Sequence, residues 1–206
     1  MRVFLTELDT VTKQEISRLY QTLPPFRKQS AERLSDTNFS QHVLGFCLVR
    51  YALKALDSHA DTEHWHIADG GKPSLKKSDL HFNLSHTAHA VAVAVSTEEE
   101  IGIDIERIVP RKVGFAERYF SKEEQQLVEQ ASDPVCELIR IWTAKEAVGK
   151  RCGTGLSCSI PDISTKDVQS LLLSPGGVPH WLSLCPASSF SNVEYITAQQ
   201  LLQAAR

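Results

Sequence analysis

With 206 residues, 42% of them hydrophobic and 23% charged, the chain has the composition of a soluble globular protein and is long enough for one large domain or two small ones. A formal net charge of −3 excludes wholesale wrapping of nucleic acid, but leaves room for a local basic cluster around a phosphorylated small molecule. Five cysteines, Cys47, Cys136, Cys152, Cys158 and Cys185, are odd in number and form no paired CxxC motifs, so they read as reduced thiols of a cytosolic protein.

Residues Val3 to Leu8 predict a first strand. A helix follows, with Thr12 as N-cap, Glu15 at the third helical position, and Val11 facing Ile16 as a hydrophobic staple. Pro24-Pro25 is expected to stop it. From Asn38 to Leu56, apolar residues at Leu44, Cys47, Leu48, Tyr51, Ala52 and Ala55 keep helical spacing, and Phe46, Val49 and Leu53 widen the stripe into that of a core helix. Leu80 to Glu106 reads as a three-strand meander of His81–Ser85, Val91–Val95 and Ile101–Glu106. In such a meander the first and third strands run the same way, which brings Ser85 and His86 to the sheet edge that carries Asp104 and Glu106.

Beyond it come a helical stretch from Val113 to Tyr119, a capping box at Ser121 and Glu124, and a longer helix with Asp133 as N-cap and Pro134 at its first position, ended by Gly153 and Gly155. Strands are expected near Ser159–Ser164, His180–Leu184 and Glu194–Ala198, with a turn at Pro175-Gly176-Gly177. This order predicts an α+β fold in two halves, residues 1–99 and 100–206, the second carrying the candidate metal site. The opening residues lack the apolar run of a signal peptide, and no segment has the roughly 18 apolar residues of a membrane span, so the expected location is the cytoplasm, with no membrane partner.

The chemistry centres on Ile101-Gly102-Ile103-Asp104-Ile105-Glu106. In a strand the pleat puts Asp104 and Glu106 on one face and Ile103 and Ile105 on the other. Two like charges on one face call for a cation, and hard oxygen ligands suit Mg²⁺ or Mn²⁺. On the long helix, the face of Leu138 and Trp142 continues into Glu146 and Lys150, so Glu146 is placed to complete a three-carboxylate site. Ser85-His86 is not a hydrolase pair, because adjacent strand residues point to opposite faces and no Gly-x-Ser-x-Gly surrounds Ser85. His81, His86 and His89 lack zinc spacing. Two competitors remain: a Mg²⁺-dependent phosphodiesterase or nuclease, and a non-enzymatic module that binds a nucleotide. The first usually sets its lysine on the carboxylate strand, where Ile105 and Arg107 flank Glu106 here. The second is disfavoured by the intact set Asp104, Glu106, Glu146 and Lys150.

His81-Phe82-Asn83-Leu84-Ser85-His86, Ile101-Gly102-Ile103-Asp104-Ile105-Glu106 and Trp142-Thr143-Ala144-Lys145-Glu146-Ala147-Val148-Gly149-Lys150 closely resemble, in order and spacing, the signature segments of the Sfp-type 4′-phosphopantetheinyl transferases. Gly71-Lys72-Pro73, Arg118-Tyr119-Phe120-Ser121 and Gly153-Thr154-Gly155-Leu156 resemble further segments of that family, and the likeness runs over roughly residues 25 to 165. The resemblance implies a pseudo-dimeric fold of two similar α+β halves, with coenzyme A as substrate in the cleft between them. It implies transfer of the 4′-phosphopantetheine arm to a serine of an apo acyl, peptidyl or aryl carrier protein by a monomeric enzyme, releasing adenosine 3′,5′-bisphosphate. By the same resemblance Asp104, Glu106 and Glu146 hold Mg²⁺ and Lys150 neutralises the phosphates. Ser85 and His86 bind phosphate oxygens, with His86 near the 3′-phosphate, and Lys72 and Pro73 border the adenine. Glu146 takes the proton of the carrier serine, through a water.

The chain departs from that pattern at the 3′-phosphate. Gln41 stands where the family has an arginine and Ser30 where a second lysine is expected, leaving Arg27, Lys28, Arg33 and His42 to compensate. Leu156, Phe115, Tyr119 and Phe120 are candidates for a carrier-docking surface, with about two of the four expected in the core.

Overall fold

Along Ala90–Ser96 valines and alanines alternate, and the alternation sets the order of layers in the molecule. In the computed structural model, which describes residues 1–60, 62, 65–67, 71–75, 78–153, 159–187 and 192–205, this strand is buried along its whole length. Val91, Val93 and Val95 face a core filled by a long helix, while Ala90, Ala92 and Ala94 face Ile101, Ile103 and Ile105. The small alanines let a second sheet approach closely on that side.

The first sheet has the order β4-β5-β1-β9, with β1 at Arg2–Glu7, β4 at His81–His86, β5 at Ala90–Ser96 and β9 at Val193–Tyr195. The second has the order β6-β8-β7, with β6 at Gly102–Arg107, β7 at Gln169–Leu173 and β8 at His180–Cys185. Two short strands, β2 (Trp65–Ile67) and β3 (Pro73–Leu75), form a separate ribbon. Helix α3 (Asp36–Leu56) covers the outer face of the first sheet together with α1 (Lys13–Gln21) and α2 (Pro25–Ala31). Helix α6 (Pro134–Cys152) covers the outer face of the second sheet, preceded by α4 (Phe115–Tyr119) and α5 (Lys122–Gln130). The result is helix, sheet, sheet, helix. It is the expected α+β class, and one long helix on each sheet is compatible with two similar halves.

Several local expectations are met by the chemistry that motivated them. Thr12 and Glu15 form the capping box of α1, Ser121 and Glu124 that of α5, and Asp133 caps α6 by accepting from the Cys136 amide at 3.0 Å. Gly153 ends α6 in the left-handed region at φ 71°. Four cysteines, Cys47, Cys136, Cys152 and Cys185, are free thiols, and among the described residues no helix is long and apolar enough to cross a membrane. Cys158 and the segment Thr154-Gly155-Leu156 lie outside the described residues.

Other expectations are corrected. The three-strand meander is not formed: β6 does not extend the sheet of β4 and β5 but crosses over at residues 97–101 and pairs antiparallel with β8. Its isoleucines gain more by stacking on the alanine face of β5 than by lying at the sheet's edge. Even so, β4 and β6 lie side by side and run the same way, because the Ile103 amide donates to Asn83 Oδ1 at 2.9 Å and the Ile105 amide to Ser85 Oγ at 3.3 Å. Two side chains thus take the place of a backbone ladder. Pro24-Pro25 does more than stop α1, since Pro25 opens α2 at its first position, where a missing N–H costs nothing. The strand expected near Ser159–Ser164 is a 3-10 turn at Ile160–Asp162.

The strand expected at Glu194–Ala198 is β9, which stops at Tyr195; Thr197 then caps α7 (Ala198–Ala204) in a box with Gln200. Strand β9 pairs parallel to β1, and Arg2 grips Glu194 through Nε and Nη2, both at 2.8 Å. The expected division at residues 99 and 100 falls in the crossover between the sheets, while β9 and α7 return to the first.

Gly102 marks the closest approach of β6 to α6. A Cβ there would stand 1.9 Å from the Ala147 carbonyl oxygen and 2.4 Å from the Arg151 amide nitrogen, both backbone atoms that cannot swing away. Gly102→Ala is expected to lower stability by about 1–3 kcal/mol, the usual range for overpacking. Urea unfolding measures this, and an unchanged midpoint would show that helix and strand separate freely.

Candidate active site

The outward face of β6 carries Gly102, Asp104 and Glu106, and against it α6 presents Trp142, Glu146 and Lys150 at successive turns. Asp104 is 4% exposed. A buried carboxylate needs partners, and it has two on one oxygen: Lys150 Nζ at 2.7 Å and the Ser85 hydroxyl at 2.8 Å. Lys150 Nζ also donates to Ser85 Oγ at 2.8 Å, so Asp104, Lys150 and Ser85 form one knot. The other oxygen, Asp104 Oδ2, is buried with no partner among the described residues.

Glu106 is held differently. Arg111 Nη2 donates to Oε2 at 2.8 Å and Trp142 Nε1 reaches Oε1 at 3.4 Å. Burial raises its pKa, the Asp104 charge raises it further, and Arg111 works in the opposite direction. Glu146 is pushed up to about 7, first by burial and then by the Asp104 charge. A cavity of about 320 Å³ lies between these groups, walled by Ser85, His86, Asp104, Glu106, Glu146 and Lys150. Ser85 is buried and His86 exposed, as opposite pleats of β4 require.

Six of the residues singled out in the sequence therefore meet in one cleft. The other three lie elsewhere. Lys72 Nζ is engaged by Glu100, by the Ile101 carbonyl at 3.1 Å and by the Arg151 carbonyl at 2.9 Å, at the opposite end of β6 from Glu106. Pro73 stands in β3 opposite Ile67. Arg27 lines an adjoining cavity that shares Leu84 and His86 with the cleft. Gln41, at the position where an arginine was expected, donates to the Thr87 carbonyl at 2.8 Å.

Two functional neighbours escaped the sequence reading. Arg111 follows Glu106 by five residues, and the signal was that a carboxylate on a covered strand face needs a counter-charge. Lys145 is fully buried on α6, where its ammonium meets Glu124 at 2.9 Å and the carbonyls of Ile160 and Ile163 at 2.9 and 3.1 Å. A lysine flanked by buried Thr143, Ala144 and Ala147 was its signature. Of the docking candidates, Phe120 is core, whereas Phe115 and Tyr119 pack on Trp142 and wall a larger cavity of about 670 Å³ beside Glu106.

As the side chains stand, no three His, Cys, Asp or Glu groups among the described residues are gathered into a ligand cage. Lys150 and Arg111 hold the positions a cation would neutralise. The donor set is nevertheless all oxygen, it includes the buried Asp104 Oδ2, which has no partner among the described residues, and burial followed by mutual repulsion raises two of its carboxylate pKa values. Those features fit a hard divalent cation.

Because the folded pKa of Glu146 lies above the ordinary carboxylate value, the folded chain keeps a proton that the unfolded chain loses as pH rises from 4.5 to about 7. The metal-free protein is therefore expected to lose about 1–2 kcal/mol across that window through this half-buried group, and Glu146→Gln to remove the loss. Urea unfolding across pH in a chelating buffer tests it; equal slopes for both proteins would exclude the effect.

A family model described as the 4′-phosphopantetheinyl transferase superfamily matches residues 100–185, which include β6, α6 and β8. The chain is 30% identical over 189 residues to the 4′-phosphopantetheinyl transferase psf-1 of Bacillus pumilus, covering 85% of this chain and 80% of that protein. It is 28% identical over 177 residues to the 4′-phosphopantetheinyl transferases ffp and Sfp of Bacillus subtilis, covering 81% of this chain and 76% of each relative. With a relative 30% identical over 85% of this chain, and with the shared segments folded around one acidic cleft, the chain belongs to the 4′-phosphopantetheinyl transferase superfamily.

Proposed function

We propose that this protein moves the 4′-phosphopantetheine arm of coenzyme A onto a serine hydroxyl of an apo acyl, peptidyl or aryl carrier protein. The observation that carries the reading is the knot of Asp104, Lys150 and Ser85 beside Glu106 and Glu146 in a single cleft. Such a cleft suits a pyrophosphate, which needs cations and hydroxyl donors on its oxygens.

In the reaction the serine oxygen forms a bond to the phosphorus that carries the pantetheine arm. The bond from that phosphorus to the bridging oxygen breaks, and adenosine 3′,5′-bisphosphate leaves with the electron pair. Lys150 neutralises the phosphate charge, and the Ser85 hydroxyl turns from Asp104 Oδ1, which keeps Lys150, to donate to a phosphate oxygen. Glu146 takes the serine proton through a water. Asp104, Glu106 and Glu146 would hold Mg²⁺, or Mn²⁺, which supplies further neutralisation of the pyrophosphate when bound. Coenzyme A would lie where the halves 1–99 and 100–206 meet, with Lys72 and Pro73 toward its adenine. The enzyme would act as a cytoplasmic monomer.

Incubation with a panel of apo fatty-acid, polyketide and nonribosomal carriers, coenzyme A and Mg²⁺ is expected to add one phosphopantetheine per carrier, read by intact mass. No addition to any carrier would overturn the proposal. Asp104→Ala and Glu146→Ala are each expected to cut kcat/KM on the order of 100-fold or more while circular dichroism stays unchanged.

A further inference from the structure

We propose that Lys72 is a positioning residue: its ammonium clamps the last turn of α6 to the start of β6 and so sets the reach of Lys150, while its side chain makes no contact with the substrate. The inference rests on the function proposed above, in which Lys150 neutralises the phosphate charge. A lysine in a loop that borders a phosphorylated nucleotide is ordinarily read as a ligand for it. The contacts of this side chain point the other way.

An ammonium has three hydrogens to donate, and three acceptors surround this one. They are the Glu100 carboxylate, the Ile101 carbonyl at 3.1 Å and the Arg151 carbonyl at 2.9 Å. No hydrogen is left for a ligand, and the side chain is only 13% exposed. Its stem lies against the end of α6, since a Cβ on Gly153 would stand 3.6 Å from Lys72 Cδ. The Arg151 carbonyl belongs to the last turn of that helix, where carbonyls lack a helical amide and the helix dipole is negative, so a cation there is favourable. Glu100 also meets His81 Nδ1 at 3.1 Å, which ties in the first residue of β4. Arg151 returns the contact by donating from Nε to the Glu100 carbonyl at 3.0 Å.

Lys150 sits one residue before Arg151, and Asp104 follows Ile101 on β6. The Lys150–Asp104 pair at 2.7 Å and the Lys72 clamp therefore join the same helix to the same stretch of chain. Between the two lies Gly102, where the backbones meet and no side chain sets the register of helix on strand. The polar contacts on either side set it instead. Without the clamp the last turn of α6 frays and takes Lys150 with it, and a displacement of about 1 Å at a group that stabilises the transition state costs on the order of 100-fold in rate. The loop then borders the adenine through its backbone and Pro73, while its lysine holds the helix that carries Glu146 and Lys150.

Steady-state kinetics with an apo carrier, coenzyme A and Mg²⁺, paired with amide hydrogen exchange of the metal-free protein, tests this. Lys72→Met keeps the stem and removes the donors. It is expected to lower kcat about tenfold with KM for coenzyme A within about twofold of the wild type, and to speed exchange about tenfold over residues 148–153 but not over 138–143. Lys72→Arg, which still donates to carbonyls, should restore most of both. Glu100→Ala alters a side chain that is 55% exposed and removes one acceptor, so it should shift both readouts the same way by about threefold, and it decides the matter if Lys72→Met does not fold. A raised KM at unchanged kcat would make Lys72 a substrate contact, and unchanged exchange over residues 148–153 would remove the clamp; either result overturns the proposal. Failure of the proposed function is distinct: the wild type itself would then modify no carrier, while the exchange result would stand.

Discussion

Strands β4 and β6 lie side by side without a backbone ladder, and the contact that replaces it is made by Asn83 and Ser85. Ser85 does this with one oxygen atom. It accepts from the Ile105 amide, donates to Asp104 and receives Lys150, so a strand of the first sheet, a strand of the second and helix α6 meet at a single hydroxyl. Everything in the cleft is referenced to that point. A methyl group in its place would leave a buried amide and a buried carboxylate short of partners, each costing more than an average hydrogen bond contributes. The seam between the sheets and the candidate active site are therefore one structure.

The charge arrangement follows from the same geometry. Three carboxylates share a cleft that excludes much of the solvent, and each is relieved in its own way. Asp104 is relieved by Lys150, Glu106 by Arg111, and Glu146 by a raised proton affinity. The ion pairs compensate most of this charge yet leave a buried oxygen without a partner among the described residues, so a divalent cation bound there would replace existing compensation rather than fill a vacuum. Lys145, one residue before Glu146, fixes the helix from the other side by binding Glu124 and the carbonyls at residues 160 and 163.

The parts legible in the sequence were those governed by local chemistry. Capping boxes at Thr12 and Ser121, the Asp133-Pro134 start and Gly153 end of α6, and the Asp104/Glu106 pleat all depend on residues a few positions apart. The partner of β6 was not legible, because alternation shows which face of a strand is apolar but not which other surface covers it. The alanine face of β5 held that information, since small residues on one side of a buried strand invite a second sheet. Likewise Ser85 was placed near Asp104 for a wrong reason: the meander is absent, and side-chain hydrogen bonds make the approach instead. Strand β7 was missed although the Pro175-Gly176-Gly177 turn that joins it to β8 was read, and the Thr197–Gln200 box of α7 was present in the sequence but overlooked.

The return of β9 and α7 to the first sheet bears on how the chain acquires its structure. Arg2 and Glu194 are joined across 192 residues, and β1 has β5 on one side but waits for β9 on the other. During synthesis the N-terminal half cannot complete its sheet until β9, at residues 193–195, has emerged, so β1 keeps an open edge until then. The edge becomes protected only when β9 pairs with it. The enzyme therefore has two routes to failure in a cell, loss of the acidic cleft and premature pairing of an unfinished edge. Only the second depends on the speed and completeness of translation.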